Sequence, residues 1–262
     1  MNRRTGPLVG VALIVVAVVA LIVALLQAGF GTSGLATSGP PTPEASFPPL
    51  MAVEDLYAAF EAGGSATSAG EPTSLSTVPA GDLVLPTGRI VAADVFFFTT
   101  EPFTRRLPAG RHPVLLLSSA RDPDLVGDVA AAMIRVAPGD PVSWELAVVP
   151  GQEVTTLQPD EFFGYPVDSG TGAFASAEAV ERLATGDGGE AYAHLVSDGL
   201  YPSDGVYNMS VDITVDPASG TNVIGFPSGF GDGGYPSWFG LDADGEPLVL
   251  LTDFGILDAT SP

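Results

Sequence analysis

The sequence contains neither cysteine nor lysine. Without thiols the chain forms no disulfide, no thiolate metal site and no thiol nucleophile, so any folded domain in it must be stabilised by its core alone. Arginine supplies all nine basic residues, against 31 acidic ones, and the formal net charge is −22. This charge excludes nucleic acid and anionic lipid surfaces as ligands, because both require positive charge. The same charge is compatible with cationic partners and with divalent metal ions as ligands.

Histidine is also scarce, with only His112 and His194. No G-x-S-x-G motif is present, so the sequence does not favour a serine hydrolase with a Ser-His-Asp triad. Residues 167–171 (VDSGT) match the aspartic-protease signature, but that chemistry requires a second such loop, and the chain has none. Residues 229–234 (GFGDGG) fit G-x-G-x-x-G, yet Tyr235-Pro-Ser-Trp follows them where a dinucleotide site needs a helix. No complete catalytic motif emerges.

One long apolar run lies near the N-terminus. Residues 8–26 contain no polar side chain, and Arg3 and Arg4 precede them. Nineteen helical residues span roughly 28 Å, close to the hydrocarbon thickness of a bilayer. The run predicts a transmembrane signal anchor over residues 8–28 that contacts the lipid bilayer, with a cytoplasmic stub at 1–7 and the rest of the chain extracytoplasmic. A cleaved signal peptide is the alternative.

The residues after this run divide into three parts. Residues 29–50 are rich in Gly, Ser, Thr, Pro and Ala, which predicts a flexible stalk. Residues 51–77 predict a short helix and a linker, because Val53, Leu56, Tyr57 and Phe60 share one helical face. We expect this helix to dock on the domain rather than on a partner. Residues 78–262 are long enough for one domain with its own core.

Short apolar runs separated by Gly, Pro and Asp predict a mainly β (α+β) domain, an antiparallel sheet or sandwich with one or two short helices. The predicted strands are 83–85, 90–98, 112–118, 129–136, 142–149, 208–215, 222–226 and 248–251. Hairpin turns are expected at 137–140, 216–220 and 243–245. Ser176 is a good N-cap for a helix with Glu178 in its first turn, and residues 190–195 add another helical turn or two.

The stretch from Asn222 to Asp253 combines glycines, aromatic residues and carboxylates, and it predicts a ligand-binding surface. We expect a loop over Gly225–Gly240 to present aromatic side chains, and the Asp168–Gly172 turn to lie beside it. The candidate binding residues are Asp168, Ser169, Thr171, Phe230, Asp232, Tyr235 and Trp238.

The run Asp242-Ala-Asp-Gly-Glu246 favours a hairpin turn, although its spacing also suits calcium. Counted as an EF-hand loop, Asp242, Asp244 and Glu246 take positions one, three and five. Pro247 then stands where glycine is required, and a strand follows. An irregular calcium site on these three carboxylates, completed by Asp232 or Asp216, is the alternative, and the sequence suggests no other cofactor.

Several motifs, in order and spacing, resemble one family. They are residues 85–94 (LPTGRIVAAD), 102–105 (PFTR), 108–114 (PAGRHPV), 144–147 (WELA), 163–172 (FGYPVDSGTG), 228–245 (SGFGDGGYPSWFGLDADG) and 252–254 (TDF). Over about residues 78–256 the chain is similar to the uncharacterised bacterial domain-of-unknown-function family numbered 4241. The resemblance implies a shared fold and no particular activity.

Two hypotheses about function follow. The first is a membrane-anchored extracytoplasmic module that binds a protein or a small molecule through the loop and turn named above. The second is a carboxylate-based hydrolase acting on cell-surface glycan or peptide material. Two close carboxylates in a pocket beside Tyr235 or Trp238, with the pKa of one raised, would favour the hydrolase.

Overall fold

The computed structural model describes residues 44–45, 51–120, 128–185, 189–203 and 207–259. These residues form fourteen β-strands and three α-helices, and the pairings are antiparallel throughout. The strands are β1 Glu44–Ala45, β2 Gly64–Ser68, β3 Glu71–Leu85, β4 Ile90–Asp94, β5 Gly110–Ala120, β6 Asp128–Arg135, β7 Ser143–Leu146, β8 Glu161–Phe162, β9 Gly164–Val167, β10 Thr171–Ser176, β11 Val211–Asp216, β12 Thr221–Pro227, β13 Gly233–Leu241 and β14 Pro247–Asp253. The helices are α1 Val53–Ala62, α2 Ala177–Thr185 and α3 Gly189–Leu200.

The strands form two main sheets and one short pair. The large sheet has the order β2-β3-β5-β6-β14-β13-β7, and β9 pairs with the first half of β13, beside the half that pairs with β7. The small sheet has the order β11-β12-β10-β4, and β1 pairs only with β8. Strand β13 therefore contacts three partners, with β14 on one side and β9 and β7 in succession on the other.

The main core lies between the two sheets. Leu116 and Leu250 of the large sheet and Phe174, Ile224 and Phe226 of the small sheet belong to one buried cluster. Successive side chains of a strand point to opposite faces, so the intervening residues form clusters on the outer faces. A mainly antiparallel fold with two packed sheets agrees with the sequence-based expectation.

The helices cover the outer faces of the sheets. Leu56, Tyr57 and Phe60 of α1 pack with apolar residues of the large sheet, which confirms both the predicted helical face and its docking on the domain. On the other side, Val196 and Leu200 of α3 pack against the small sheet.

Helix α2 begins as the sequence predicts. The hydroxyl of Ser176 accepts the backbone N–H of Ala179 at 3.0 Å, which is the N-cap bond. Glu178 stands in the first turn and accepts a hydrogen bond from the Thr87 hydroxyl at 2.6 Å. Residues 78–262 contain two described helices, as expected, and α3 runs on to Leu200 where only Glu190–Leu195 were predicted helical.

All eight predicted strands are present. Seven have bounds within about four residues of the prediction, whereas β3 begins at Glu71, twelve residues before the predicted 83–85. The turns at 216–220 and 243–245 join β11 to β12 and β13 to β14 as hairpins. The turn at 137–140 differs from the prediction, because it leads from β6 to β7, and these strands are separated in the sheet by β14 and β13.

Two stretches form strands where the sequence predicted irregular structure. Residues 63–77, predicted as a linker, form β2 and the first half of β3. β2 pairs with Glu71–Leu75 of β3, and β3 pairs with β5 from Ser74 onward. Residues 225–240, predicted as a loop, contain the end of β12, a short connection and most of β13. Glycine helps here. A Cβ on Gly240 would lie 2.6 Å from Pro141 and 2.7 Å from Val249, so only glycine lets these neighbours approach.

The anchor predicted at residues 8–28 and the stub at 1–7 lie outside the described residues, as does the predicted stalk except for β1. Within the described part of the chain, no helix is both long and apolar enough to cross a membrane.

Candidate functional site

A cavity of about 210 Å³ lies where β13 begins and β14 ends. We call it the Asp253 pocket. Its walls are mainly apolar and include the aromatic residues Phe162, Phe230, Tyr235 and Phe254. Backbone of Gly233, Gly234 and Gly255, together with Pro236, completes the lining, and two carboxylates, Asp232 and Asp253, also take part.

Asp253 is the unusual member of this pocket. It ends β14, and the register that pairs Ser237 with Thr252 brings it beside Pro236. Its side chain is only 1% exposed. One carboxyl oxygen, Oδ1, accepts the N–H of Gly255 at 2.8 Å, whereas Oδ2 has no hydrogen-bond partner among the residues that the structure describes.

Burial raises the pKa of the Asp253 carboxyl to about 7, and the Gly255 hydrogen bond offsets only part of this effect. A carboxyl in this state exchanges its proton near neutral pH. Buried ionisable groups with a shifted pKa cluster at functional sites, particularly where they line a cavity. The combination of pocket, orphan oxygen and raised pKa makes Asp253 the centre of the candidate site.

The connection between β12 and β13, residues 228–232, forms one wall of the pocket. It is internally bonded, since the carbonyl of Gly231 accepts the hydroxyls of both Ser228 and Tyr235 at 2.8 Å. Gly229 has φ +57°, and a Cβ there would lie 2.8 Å from that of Phe254. The connection is thus closely fitted to the end of β14, and it presents Phe230 with 67% of its surface exposed.

The Asp168–Gly172 turn supports this connection. The carbonyl of Gly170 accepts the N–H of Ser228 at 3.1 Å, as expected from two neighbouring segments. However, neither Asp168, Ser169 nor Thr171 lines the Asp253 pocket. Asp168 is exposed and Thr171 is fully buried.

A buried carboxylate holds this turn in place. Asp94, at the end of β4, is 2% exposed and accepts three backbone N–H groups. Its Oδ2 accepts those of Asp168 and Ser169 at 2.8 and 2.7 Å, and its Oδ1 accepts that of Phe96 at 2.8 Å. The protease-like Asp-Ser-Gly sequence is therefore a structural turn whose backbone amides, not its carboxylate, are engaged.

The remaining predicted binding residues separate in the structure. Phe230, Asp232 and Tyr235 line the Asp253 pocket together, and their role in binding stays a prediction. Trp238 does not line this pocket. Because Tyr235 and Trp238 are three positions apart in a strand, they point to opposite faces, and Trp238 packs in the cluster beneath α1.

The predicted calcium ligands form a hairpin. Oδ1 of Asp242 accepts the backbone N–H groups of Asp244 and Glu246, both at 2.9 Å, and Gly245 has φ +82°. Among the residues that the structure describes, no three acidic or histidine side chains are grouped as metal ligands. The geometry thus accounts for Asp242 as a turn residue, and the calcium site stays a prediction.

A wider groove, of about 680 Å³, lies beside α1 and the β2–β3 hairpin. Met51, Ala58 and Leu75 are among its lining residues, and none of the residues predicted as binding or metal sites is. The Asp253 pocket is the stronger candidate because it combines apolar walls with a buried carboxyl oxygen for which the described residues offer no donor.

The comparisons with known proteins identify a family but no activity. A family model described as "Protein of unknown function (DUF4241)" matches residues 83–252. The match covers more than half of the chain, which therefore belongs to this family, as its sequence motifs indicated. No curated protein and no solved structure matches the chain.

Sequence reasoning missed part of the pocket. Phe162, Pro236 and Phe254 were not singled out, because strands β8 and β13 and the pairing of β13 with β14 were not predicted. One signal was present: Asp253 follows an apolar run, Leu248 to Leu251, so a carboxylate ends a strand that the sequence already indicated was buried. A charged side chain in that position is costly unless something binds it.

The hairpin and calcium interpretations of Asp242 make different predictions. As a turn residue, Asp242 contributes two hydrogen bonds to backbone, so Asp242→Ala should lower the free energy of unfolding by about 1 kcal/mol, and Asp244→Ala should have little effect. A calcium site would need both carboxylates. Urea unfolding with and without millimolar calcium, at constant ionic strength, measures the stability that each substitution removes and the stability that calcium adds. Calcium stabilisation that is lost in Asp242→Ala and in Asp244→Ala alike would establish the metal site.

The raised pKa of Asp253 predicts a pH-dependent stability. Because the folded-state pKa of about 7 exceeds the unfolded value of 3.8, the folded chain binds the extra proton between these pH values. This carboxyl therefore lowers stability as the pH rises through that window, by an amount of the order of 4 kcal/mol above pH 7.

Asp253→Asn removes this titration and keeps an oxygen for the Gly255 amide. We expect the variant to gain stability relative to the parent chain as the pH increases from 4 to 8. Unfolding at a series of pH values gives the difference directly, and effects of other carboxylates cancel in it. A difference that stays constant over this range would show that Asp253 has an ordinary pKa.

Proposed function

We propose that this protein is a binding module whose ligand is a small molecule with an apolar body, held in the Asp253 pocket. The observation that carries the proposal is a cavity with aromatic walls and a single buried carboxyl oxygen that has no partner among the described residues. Pockets that bind small molecules have this composition, with mainly apolar walls and a few polar groups that orient the ligand. The neighbouring connection, residues 228–232, supplies an exposed aromatic side chain at the rim.

The apolar lining also indicates what the ligand is not. A sugar carries hydroxyl groups around its ring, and each one that enters an apolar site without a partner costs free energy. The polar side chains that line the Asp253 pocket are those of Asp232, Tyr235 and Asp253, which are too few for a glycan. An apolar body with one polar group suits the pocket better.

A carboxylate-based hydrolase acting on cell-surface glycan or peptide is the second candidate. It is favoured because Asp232 and Asp253 line one cavity beside Tyr235, and because a carboxyl with a pKa of about 7 suits a general acid. Release of soluble fragments from purified cell-wall material, abolished by Asp253→Asn, would support this candidate over the binding module.

We further propose that residues 8–28 anchor the module in a membrane, with the N-terminus inside and the domain extracytoplasmic. The support is the sequence alone, an uninterrupted apolar run after Arg3 and Arg4 with no further basic residue before Arg89. The pocket would then face the cell exterior, where a small ligand can reach it.

The anchor predicts membrane association. The 262-residue chain should stay with the membrane pellet after alkaline carbonate washing, and a variant lacking residues 1–28 should be soluble. External protease should digest the domain in spheroplasts. Recovery of the full chain in the soluble fraction would contradict the anchor, and protection of the domain from protease would contradict the orientation.

The binding function predicts that a neutral aromatic probe occupies the Asp253 pocket. Tryptophol, an indole with a hydroxyethyl group, should bind the full chain in a saturable manner, and Phe230→Ala should weaken it about three- to tenfold through lost apolar contact. Phe230 is exposed, so its removal should leave the fold intact.

Phe97→Ala is the matched control, since Phe97 is also an exposed phenylalanine, at 40%, and lies outside the pocket. Isothermal titration calorimetry measures the dissociation constants. Equal weakening by both variants, or no saturable binding in the parent chain, would rule out the pocket as the binding site.

A further inference from the structure

We infer that the Asp253 pocket selects an organic ammonium ion, whose N–H groups donate to Oδ2 of Asp253 while its apolar body lies among the aromatic side chains. The inference rests on the proposed binding function and specifies the ligand's polar group. It follows from the hydrogen bonding of Asp253, from the other charges in the pocket and from the charge of the whole chain.

The hydrogen bonding of Asp253 is incomplete in a way that a donor would correct. An ionised carboxylate is only an acceptor, with about four lone-pair positions, and here a single N–H, from Gly255, fills one of them. The side chain is 1% exposed, so bulk water does not satisfy the rest. A positively charged donor gains more from such an acceptor than a neutral one, because charge-assisted hydrogen bonds are roughly twice as strong.

The described surroundings of Asp253 contain no competing cation. The titratable groups that line the same pocket are Asp232, in the connection before β13, and Tyr235, in β13. Neighbouring positions on the adjacent strands, Ala131 on β6 and Pro236 on β13, carry no charge. No arginine is among the lining residues. Among the described residues none supplies a positive partner to the ionised carboxylate, and a cationic ligand would.

Four aromatic residues line the space around that partner: Phe162, Phe230, Tyr235 and Phe254. Aromatic faces attract cations as well as apolar groups, whereas aliphatic walls do not attract cations. The volume of about 210 Å³ is below the usual range of about 300–1,000 Å³ for drug-sized ligands, so the ligand is small.

The charge of the chain acts in the same direction. After Arg182 the sequence has twelve acidic residues and no basic one, and both strands that form the pocket lie in this part. A strongly negative surface raises the local concentration of cations and repels anions. An anionic ligand of the same shape would face this repulsion outside the pocket and a carboxylate within it.

Three indole probes that differ in charge test the inference: tryptamine, which is a cation, tryptophol, which is neutral, and indole-3-propionate, which is an anion. Calorimetric titration of the full chain at pH 8.5 and constant ionic strength should give tenfold or tighter binding of tryptamine than of tryptophol. Indole-3-propionate should bind weakest. At pH 5.5 the preference for tryptamine should largely disappear, because Asp253 is then protonated while the amine keeps its charge.

Asp253→Asn is the decisive variant. It should equalise the affinities of tryptamine and tryptophol at pH 8.5 and remove the pH dependence, whereas tryptophol binding itself should persist. Asp168→Asn is the control for general electrostatics, since it removes one exposed carboxylate near the pocket but outside its lining, and it should keep the preference. Circular dichroism verifies that both variants are folded.

The outcomes separate the inference from the function on which it rests. If the parent chain binds tryptamine and tryptophol equally, the pocket binds ligands but does not select ammonium, and the inference is wrong. The inference is also wrong if Asp232→Asn, rather than Asp253→Asn, removes the preference. If no probe binds saturably, the proposed function and the inference both fail.

Discussion

The carboxylate of Asp94 is the interaction on which the arrangement of the site depends. It is buried at the end of β4 and accepts three backbone N–H groups, two of them from the turn that precedes β10. Hydrogen bonds to a charged acceptor contribute about 1.5–3 kcal/mol each, so this turn has one strongly preferred position. The same turn accepts the N–H of Ser228, which begins the connection that carries Phe230 and Asp232. A single side chain of the small sheet thus determines where one wall of the pocket lies.

Strand β13 follows this connection and joins it to the large sheet. Its first half pairs with β9 and its second half with β7, while β14 runs along its other edge. Glycine is required in β9, at Gly164, and in β13, at Gly240, because neighbouring chains approach both positions closely. A Cβ on Gly164 of β9 would lie 2.7 Å from the backbone nitrogen of Tyr235, so only glycine permits this approach. The pocket lies at the start of β13, where backbone of Gly233 and Gly234 lines it and β14 ends beside Pro236.

Much of the fold could be predicted from local pattern, because alternating or continuous apolar runs mark buried strands. Ile90 to Ala93 and Leu248 to Leu251 are such runs, and Ser176 marks the start of α2 through its capping hydroxyl. Strand β13 could not be recognised in this way. Its sequence, GGYPSWFGL, contains three glycines and a proline, which favour loops, and its extended form depends on pairing with strands that lie far away in sequence.

The same limit applies to the candidate site. Phe230, Asp232 and Tyr235 are close in sequence, so composition alone could group them, and all three line the Asp253 pocket. Trp238 was grouped with them on the assumption of a loop, and the two-residue period of a strand places it on the opposite face. Asp253 and Phe254 join the pocket only through the register of β14 with β13, which no local signal in the sequence specifies.

The contrast between two buried carboxylates gives the strongest reason to regard the pocket as functional. Asp94 and Asp253 are almost equally buried, at 2% and 1% exposure, and each ends a strand. Asp94 accepts three N–H groups and so is fully used by the fold, whereas Asp253 accepts one. The described structure gives Oδ2 of Asp253 no partner, although burial without one costs free energy that an apolar residue would avoid. A group that weakens the fold in this way, at the wall of a cavity, is better explained by a ligand than by stability.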